Sequence, residues 1–103
     1  MSRLTKLSRS IKGHVVLITG AASGMGKATA QLFSDEGAIT IVTDLDKKAV
    51  NDVVQEINDN GNKADGFVLD VSDERSVSSA LSEILEKYTN LDILINTAGI
   101  AIS

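Results

Sequence analysis

Eight consecutive residues, Thr19-Gly20-Ala21-Ala22-Ser23-Gly24-Met25-Gly26, carry the first chemistry legible in this chain. They lie between an apolar run and a helix-forming run, and each glycine has a separate use there. Gly20 lets the chain turn sharply off a strand, Gly24 exposes backbone to a close pyrophosphate, and Gly26 lets a helix pack tightly. The helix that follows offers unpaired N–H groups and the positive end of its dipole to phosphate oxygens. A glycine-rich turn without a ligand has the same composition, so the surroundings must decide. Asp44 stands twenty positions beyond Gly24. A carboxylate there can accept hydrogen bonds from both hydroxyls of an adenosine ribose, and it repels a 2′-phosphate. None of Ala21, Ala22 and Ser23 is basic, so nothing in the turn reverses that preference. The alternatives for Asp44 are a solvated acid or a helix cap. Lys47 and Lys48 either reach a 2′-phosphate or line a solvated helix face. Asp70-Val71 offers a carboxylate beside an N–H, the pair that would meet the amino group and a ring nitrogen of adenine, although alone it reads as a strand-ending acid. Asn96-Thr97-Ala98-Gly99 ends on small residues that keep a rim low.

The elements that position these residues follow from periodicity. His14–Thr19 is a continuous apolar, β-branched run, the mark of a strand buried on both faces. A helix is predicted over 25–34, with Met25, Ala28, Leu32 and Phe33 as its apolar face and Gly37 as its stop. Ala38–Thr43 is the second strand. Lys47–Asn60 is the second helix, with Val50, Val53, Val54 and Ile57 on one face and Asn60-Gly61 at its end. Gly66–Asp70 is the third strand. Ser72 is placed to cap a third helix, with Val77, Leu81, Ile84 and Tyr88 as its inner face. Asp92–Asn96 is the fourth strand. Strands joined by helices of this length run parallel. The expected fold class is therefore α/β.

The chain has 103 residues, 14 acids, 10 Lys and Arg and one His, for a net charge of −4. It has no Cys, which excludes disulfides, thiolate metal sites and cysteine nucleophiles, and a lone His excludes a multi-histidine metal site. No metal is expected. The acidic balance argues against nucleic acid. The longest apolar runs have four residues, far short of the ~20 that span a bilayer, and no secretory h-region is present. A cytoplasmic protein with no membrane partner is expected. Residues 1–12 form a basic leader that holds four of the ten basic residues and no acid, leaving 14 acids against six bases in 13–103. Leu4, Leu7 and Ile11 would stripe one side of a helix there. That pattern suits either a solvated leader or an amphipathic transit segment.

TGAASGMG, then Asp44, then Asp70-Val71, then NTAG together resemble the short-chain dehydrogenase/reductase family, in its TGxxxGxG single-domain form. The likeness runs from about Gly13 to Gly99. It implies a Rossmann-type doubly wound parallel sheet, here partial, with four strands ordered 3-2-1-4 and three helices. It implies an NAD(P)-dependent oxidoreductase that moves hydride between an alcohol or carbonyl substrate and NAD rather than NADP. By position, Gly20, Ser23, Gly24, Met25 and Gly26 match the cofactor loop, Asp44 the NAD-selecting acid, and Asp70 and Val71 the adenine pair. Asn96, Ala98 and Gly99 match the NNAG stretch, with Thr97 in place of its second Asn. The family's catalytic Ser and Tyr-x-x-x-Lys have no counterpart. The single tyrosine, Tyr88, is followed four positions later by Asp92 rather than Lys, so no catalytic residue is assigned.

Three further expectations concern the whole. Right-handed crossovers put the first two helices on one face and the third on the other. Ile93-Leu94-Ile95 would form an open apolar edge. Both features point to 13–103 as the N-terminal part of a longer reductase, one whose full-length form is a homo-oligomer by resemblance. The competing readings are a non-catalytic dinucleotide-binding module and a remnant with a vestigial motif.

Overall fold

The structure, a computed structural model, describes residues 11–97. Ala98, Gly99 and the leader's Leu4 and Leu7 lie outside the described residues. The elements are β1 (Val15–Thr19), α1 (Gly24–Asp35), β2 (Ile39–Asp44), α2 (Lys47–Asp59), β3 (Lys63–Val68), α3 (Glu74–Tyr88) and β4 (Ile93–Asn96). All pairings are parallel and the sheet order is β3-β2-β1-β4. This is the partial Rossmann-type doubly wound sheet expected from the sequence.

Strand alternation separates two cores. Val16, Ile18 and Val42 face α1 and α2 and pack with Ala30, Val50, Val53 and Ile57. Val15, Leu17 and Ile41 face α3 and pack with Ile84, flanked by Leu81 and Tyr88. The helices thus divide two and one, as right-handed crossovers require. Ile11, the last apolar residue of the basic leader, is 4% exposed and belongs to the first core.

Three details differ from the sequence reading. The third strand runs Lys63–Val68, not Gly66–Asp70. It is an edge strand whose first half carries Lys63 and Asp65, so its start has no apolar run to betray it. Its register pairs Ile39 with Lys63 and Asp44 with Val68. Second, α1 turns a different face inward. Gly26, Ala30 and Ser34 are buried, while Met25 is 60% and Leu32 46% exposed. Small residues on the inner side bring the helix axis close to the sheet, and only Phe33 of the predicted face packs against the core. The buried Ser34 hydroxyl is satisfied, donating to the Ala30 carbonyl at 2.7 Å and sharing a 2.7 Å hydrogen bond with Thr40. Third, α3 is capped by Asp73, which accepts from the Arg75 N–H at 2.9 Å, and not by Ser72. The Ser72 hydroxyl is drawn instead to Asp70 at 2.6 Å.

Candidate functional site

Parallel pairing brings the carboxyl ends of the four strands to one rim. Asp44 lies opposite Val68, Thr19 opposite Thr43, and Thr19 opposite Asn96. Along the rim the order is therefore Asp70-Val71, Asp44, the glycine turn, and Asn96. Residues 24 to 77 positions apart in the chain become neighbours because the sheet order is 3-2-1-4. Ligands of open α/β sheets lie across such strand ends.

Each glycine of the turn has its own constraint. Gly20 has φ +67° and Gly24 φ +54°, backbone that L side chains rarely adopt. A Cβ on Gly24 would meet nothing within 4 Å, so its backbone opens to the outside of the fold. A Cβ on Gly26 would stand 1.9 Å from the Gly20 carbonyl oxygen and 2.7 Å from Thr97 Oγ1. The close approach of α1 is therefore to the turn itself and to the residue that follows β4. Ser23 takes the N-cap position in extended conformation without a side-chain cap hydrogen bond. The first-turn N–H groups of α1, those of Gly24, Met25 and Gly26, have no preceding helical carbonyls to bond.

Asp44 is half-buried at the end of β2 and does not cap a helix. Its Oδ2 accepts from the Ala22 N–H at 3.0 Å and its Oδ1 from the Leu45 N–H at 2.7 Å. The cap of α2 is Asp46, which accepts from the Lys48 and Ala49 N–H groups at 3.0 and 3.3 Å. Lys48 turns along its own helix to Asp52, 3.0 Å away. Lys47 is exposed.

Asp70 sits in a tight turn after β3. Its Oδ1 accepts from both the N–H and the hydroxyl of Ser72, at 3.0 and 2.6 Å. These bonds hold its carboxyl below the usual carboxylate range, the hydroxyl contributing most. Val71 is exposed beside it and lines a groove of about 200 Å³ with Leu17, Thr19, Leu81, Leu94 and Asn96. On the other flank of the turn, Asn96 Oδ1 accepts from the Thr19 hydroxyl at 2.7 Å. The Thr97 hydroxyl donates to the Thr19 carbonyl at 2.6 Å, with the Gly20 carbonyl 3.3 Å away. Thr97 carried no role in the sequence reading. Its signal was its place, a hydroxyl one residue past a strand that pairs with the glycine-bearing one. Tyr88 is far from this rim. It closes the last turn of α3, 14 residues and so about 21 Å along the helix from Glu74, and its hydroxyl donates to Asp65.

Comparison with known proteins gives this arrangement a family. Residues 14–103 match the short chain dehydrogenase family. The chain belongs to that family. It is 42% identical over 90 residues to 3-oxoacyl-[acyl-carrier-protein] reductase of Thermotoga maritima, covering 87% of this chain and 37% of the relative. It is 39% identical over 93 residues to NAD-dependent glycerol dehydrogenase of Listeria innocua, covering 90% of this chain and 35% of the relative. Among solved short-chain dehydrogenase structures, hydroxysteroid dehydrogenase from Escherichia coli superposes with TM-score 0.83 at 33% identity, over 88% of this chain and 39% of that one. A metagenomic short-chain oxidoreductase in complex with NADP superposes with TM-score 0.78 at 28% identity, over 82% of this chain and 38% of that one. The chain thus spans somewhat over a third of the length of these relatives. It is an oxidoreductase-family domain. Among the described residues, no helix is long and apolar enough to cross a membrane.

Proposed function

We propose that this chain is the cofactor-binding part of an NAD-dependent short-chain dehydrogenase/reductase that passes hydride between the nicotinamide and a small alcohol or carbonyl compound. The observation that carries the choice of NAD is Asp44. Its carboxylate stands at the end of β2, joined to the glycine turn, and Ala21, Ala22 and Ser23 bring no positive charge to offset it. A 2′-phosphate would lie against that carboxylate and be repelled, whereas ribose hydroxyls donate to it.

The residues fit a dinucleotide. The open backbone at Gly24 and the first-turn N–H groups of α1 suit a pyrophosphate, with Gly20 and Gly26 setting the turn and Ser23 and Met25 flanking it. Asp70 and Val71 would meet the adenine, and Asn96, Ala98 and Gly99 would border the ribose. Bound NAD supplies the hydride chemistry; the protein supplies position and electrostatics. No proton-transfer residue is assigned within 1–103, so turnover is ascribed to a longer, homo-oligomeric cytoplasmic protein and none is expected of this chain alone.

The second reading is NADP, favoured by the exposed Lys47 and by the NADP-bound structural neighbour. Lys48 adds less to it, since its ammonium is paired with Asp52. Thermal melting with each reduced cofactor separates the two. NADH should raise the melting temperature and NADPH should leave it unchanged. Equal shifts would overturn the NAD preference, and no shift with either would favour a vestigial motif. The intact mass of the native product tests the longer protein: a value well above 10.9 kDa is expected, and a value equal to it would limit the function to dinucleotide binding.

A further inference from the structure

The glycine turn has two N–H groups tied to β2 in different ways. The Ala21 N–H bonds to the Thr43 carbonyl at 3.0 Å, continuing the β1–β2 ladder by one step. The Ala22 N–H bonds to a side chain, Asp44 Oδ2, at 3.0 Å. The same carboxylate accepts from the Leu45 N–H at 2.7 Å on its other oxygen, so that both oxygens are held by backbone N–H groups. An ionised acceptor makes these bonds about twice as strong as neutral ones. A carboxylate has about four acceptor positions, of which these bonds take two. The remaining two suffice for a ribose diol, so tethering the turn and accepting from a ribose do not compete.

We infer that Asp44 is a positioning residue for the glycine turn as well as an acceptor for the ribose, so that one carboxylate links nucleotide selection to the shape of the phosphate cradle. The first half of the inference needs no cofactor. The second half rests on the dinucleotide reading above. A turn shaped before the nucleotide arrives loses less freedom on binding, which strengthens affinity without any new contact. Removing Asp44 therefore has two effects, a lost ribose acceptor and a loosened cradle, and the second is felt by a nucleotide that has no ribose hydroxyls to offer.

Two measurements on the 103-residue chain test this. Amide hydrogen exchange without cofactor reads the tether. In Asp44→Ala, the Ala22 amide should exchange ~10-fold faster or more, while the Ala21 amide stays within about twofold of its original rate. Asp44→Asn, whose amide oxygen can still take the Ala22 N–H while its Nδ2 then faces the Leu45 N–H, should fall between. Unchanged exchange at Ala22, or equal acceleration at Ala21 and Ala22, overturns the tether, the latter because it would report general loosening. The second measurement compares NADH with its analogue bearing a 2′,3′-dideoxyadenosine. Asp44→Ala should weaken the analogue by about threefold or more. An Asp44→Ala penalty seen with NADH but absent with the analogue would leave Asp44 as a ribose acceptor only and overturn the link. Failure of the unsubstituted chain to bind NADH overturns the link through the dinucleotide reading itself, and the exchange result at Ala22 distinguishes that failure from loss of the tether.

Discussion

Glycines 24 and 26 look alike in the sequence, two small residues two positions apart, yet their surroundings rank them very differently. A Cβ at Gly24 reaches open space, and the only penalty is its positive φ, about 1 kcal/mol for a non-glycine residue. A Cβ at Gly26 falls 1.9 Å from a backbone carbonyl, which cannot be relieved by turning a side chain. Forced overpacking of this kind costs about 1–3 kcal/mol, and here the part that must move is the turn itself. Gly26→Ala is therefore expected to lower the melting temperature by about 8 °C or more and Gly24→Ala by roughly half that, with ~4–8 °C per kcal/mol for a domain of this size. Denaturation of the two variants side by side checks the ranking, and equal losses would contradict the close approach of α1. At this scale the sequence told which residues gather at the rim, because glycine placement and acid spacing are local signals. It did not tell what Asp44 touches, since the Ala22 N–H is 22 positions away and meets it only when β1 and β2 pair in register.

Elements were legible where their inner faces are apolar and illegible where they are not. The inward residues of α2, Val50, Val53 and Ile57, could be read directly from their spacing. Those of α1 could not, because Gly26, Ala30 and Ser34 pack by being small and Ser34 is polar. The early half of β3 escaped for the related reason that an edge strand tolerates charge. The end of α3 holds a feature that no propensity signals. Thr89 has φ +68° and ψ −46°, and the Asn90 N–H bonds to the Tyr88 carbonyl at 2.7 Å. This is a γ-turn of the rare, strained hand, centred on a β-branched residue. Strain of this type costs of order 1–3 kcal/mol for a residue with a Cβ. Glycine relieves it while adding freedom to the unfolded chain, so Thr89→Gly should stabilise by about 1 kcal/mol net. The check is a denaturant midpoint that rises at unchanged slope. A lowered midpoint would show that the hydroxyl or methyl of Thr89 holds more than the backbone strain costs.

Among the described residues the layers are lopsided, with two helices on one face of the sheet and α3 alone on the other. That second face keeps Leu94 60% exposed at the rim of its groove. Side-chain links between α3 and the sheet side therefore carry more weight than they would under full cover. One lies at each end of the helix: Ser76 Oγ accepts from the Asp70 N–H at 3.0 Å, and Lys87 and Tyr88 both reach Asp65 on β3. The second link titrates. Burial pushes the Asp65 carboxyl up, but hydrogen bonds from Lys87, Tyr88 and the Gly66 N–H outweigh it and leave the group below its ordinary value. Lys87 is held above its ordinary value by its hydrogen bond to Asp65 and by the carboxylate's charge. Tyr88 is raised by burial first and by its hydrogen bond to Asp65 second. A lowered acid stabilises the fold above its unfolded pKa, near 4, and that contribution is lost as pH falls through the lower folded value. Raised Lys and Tyr groups stabilise below their unfolded values, near 10, and that contribution is lost as pH rises through the folded ones. All three contributions coexist between about pH 5 and 9. Asp65→Asn should therefore lower the melting temperature by a constant amount across that window, and the gap to the unsubstituted chain should close below about pH 4 and narrow above about pH 10. Melting curves at a series of pH values decide it. A gap that stays the same from pH 3 to 11 would mean that Asp65 acts through packing alone and that charge does not pin α3 to its face of the sheet.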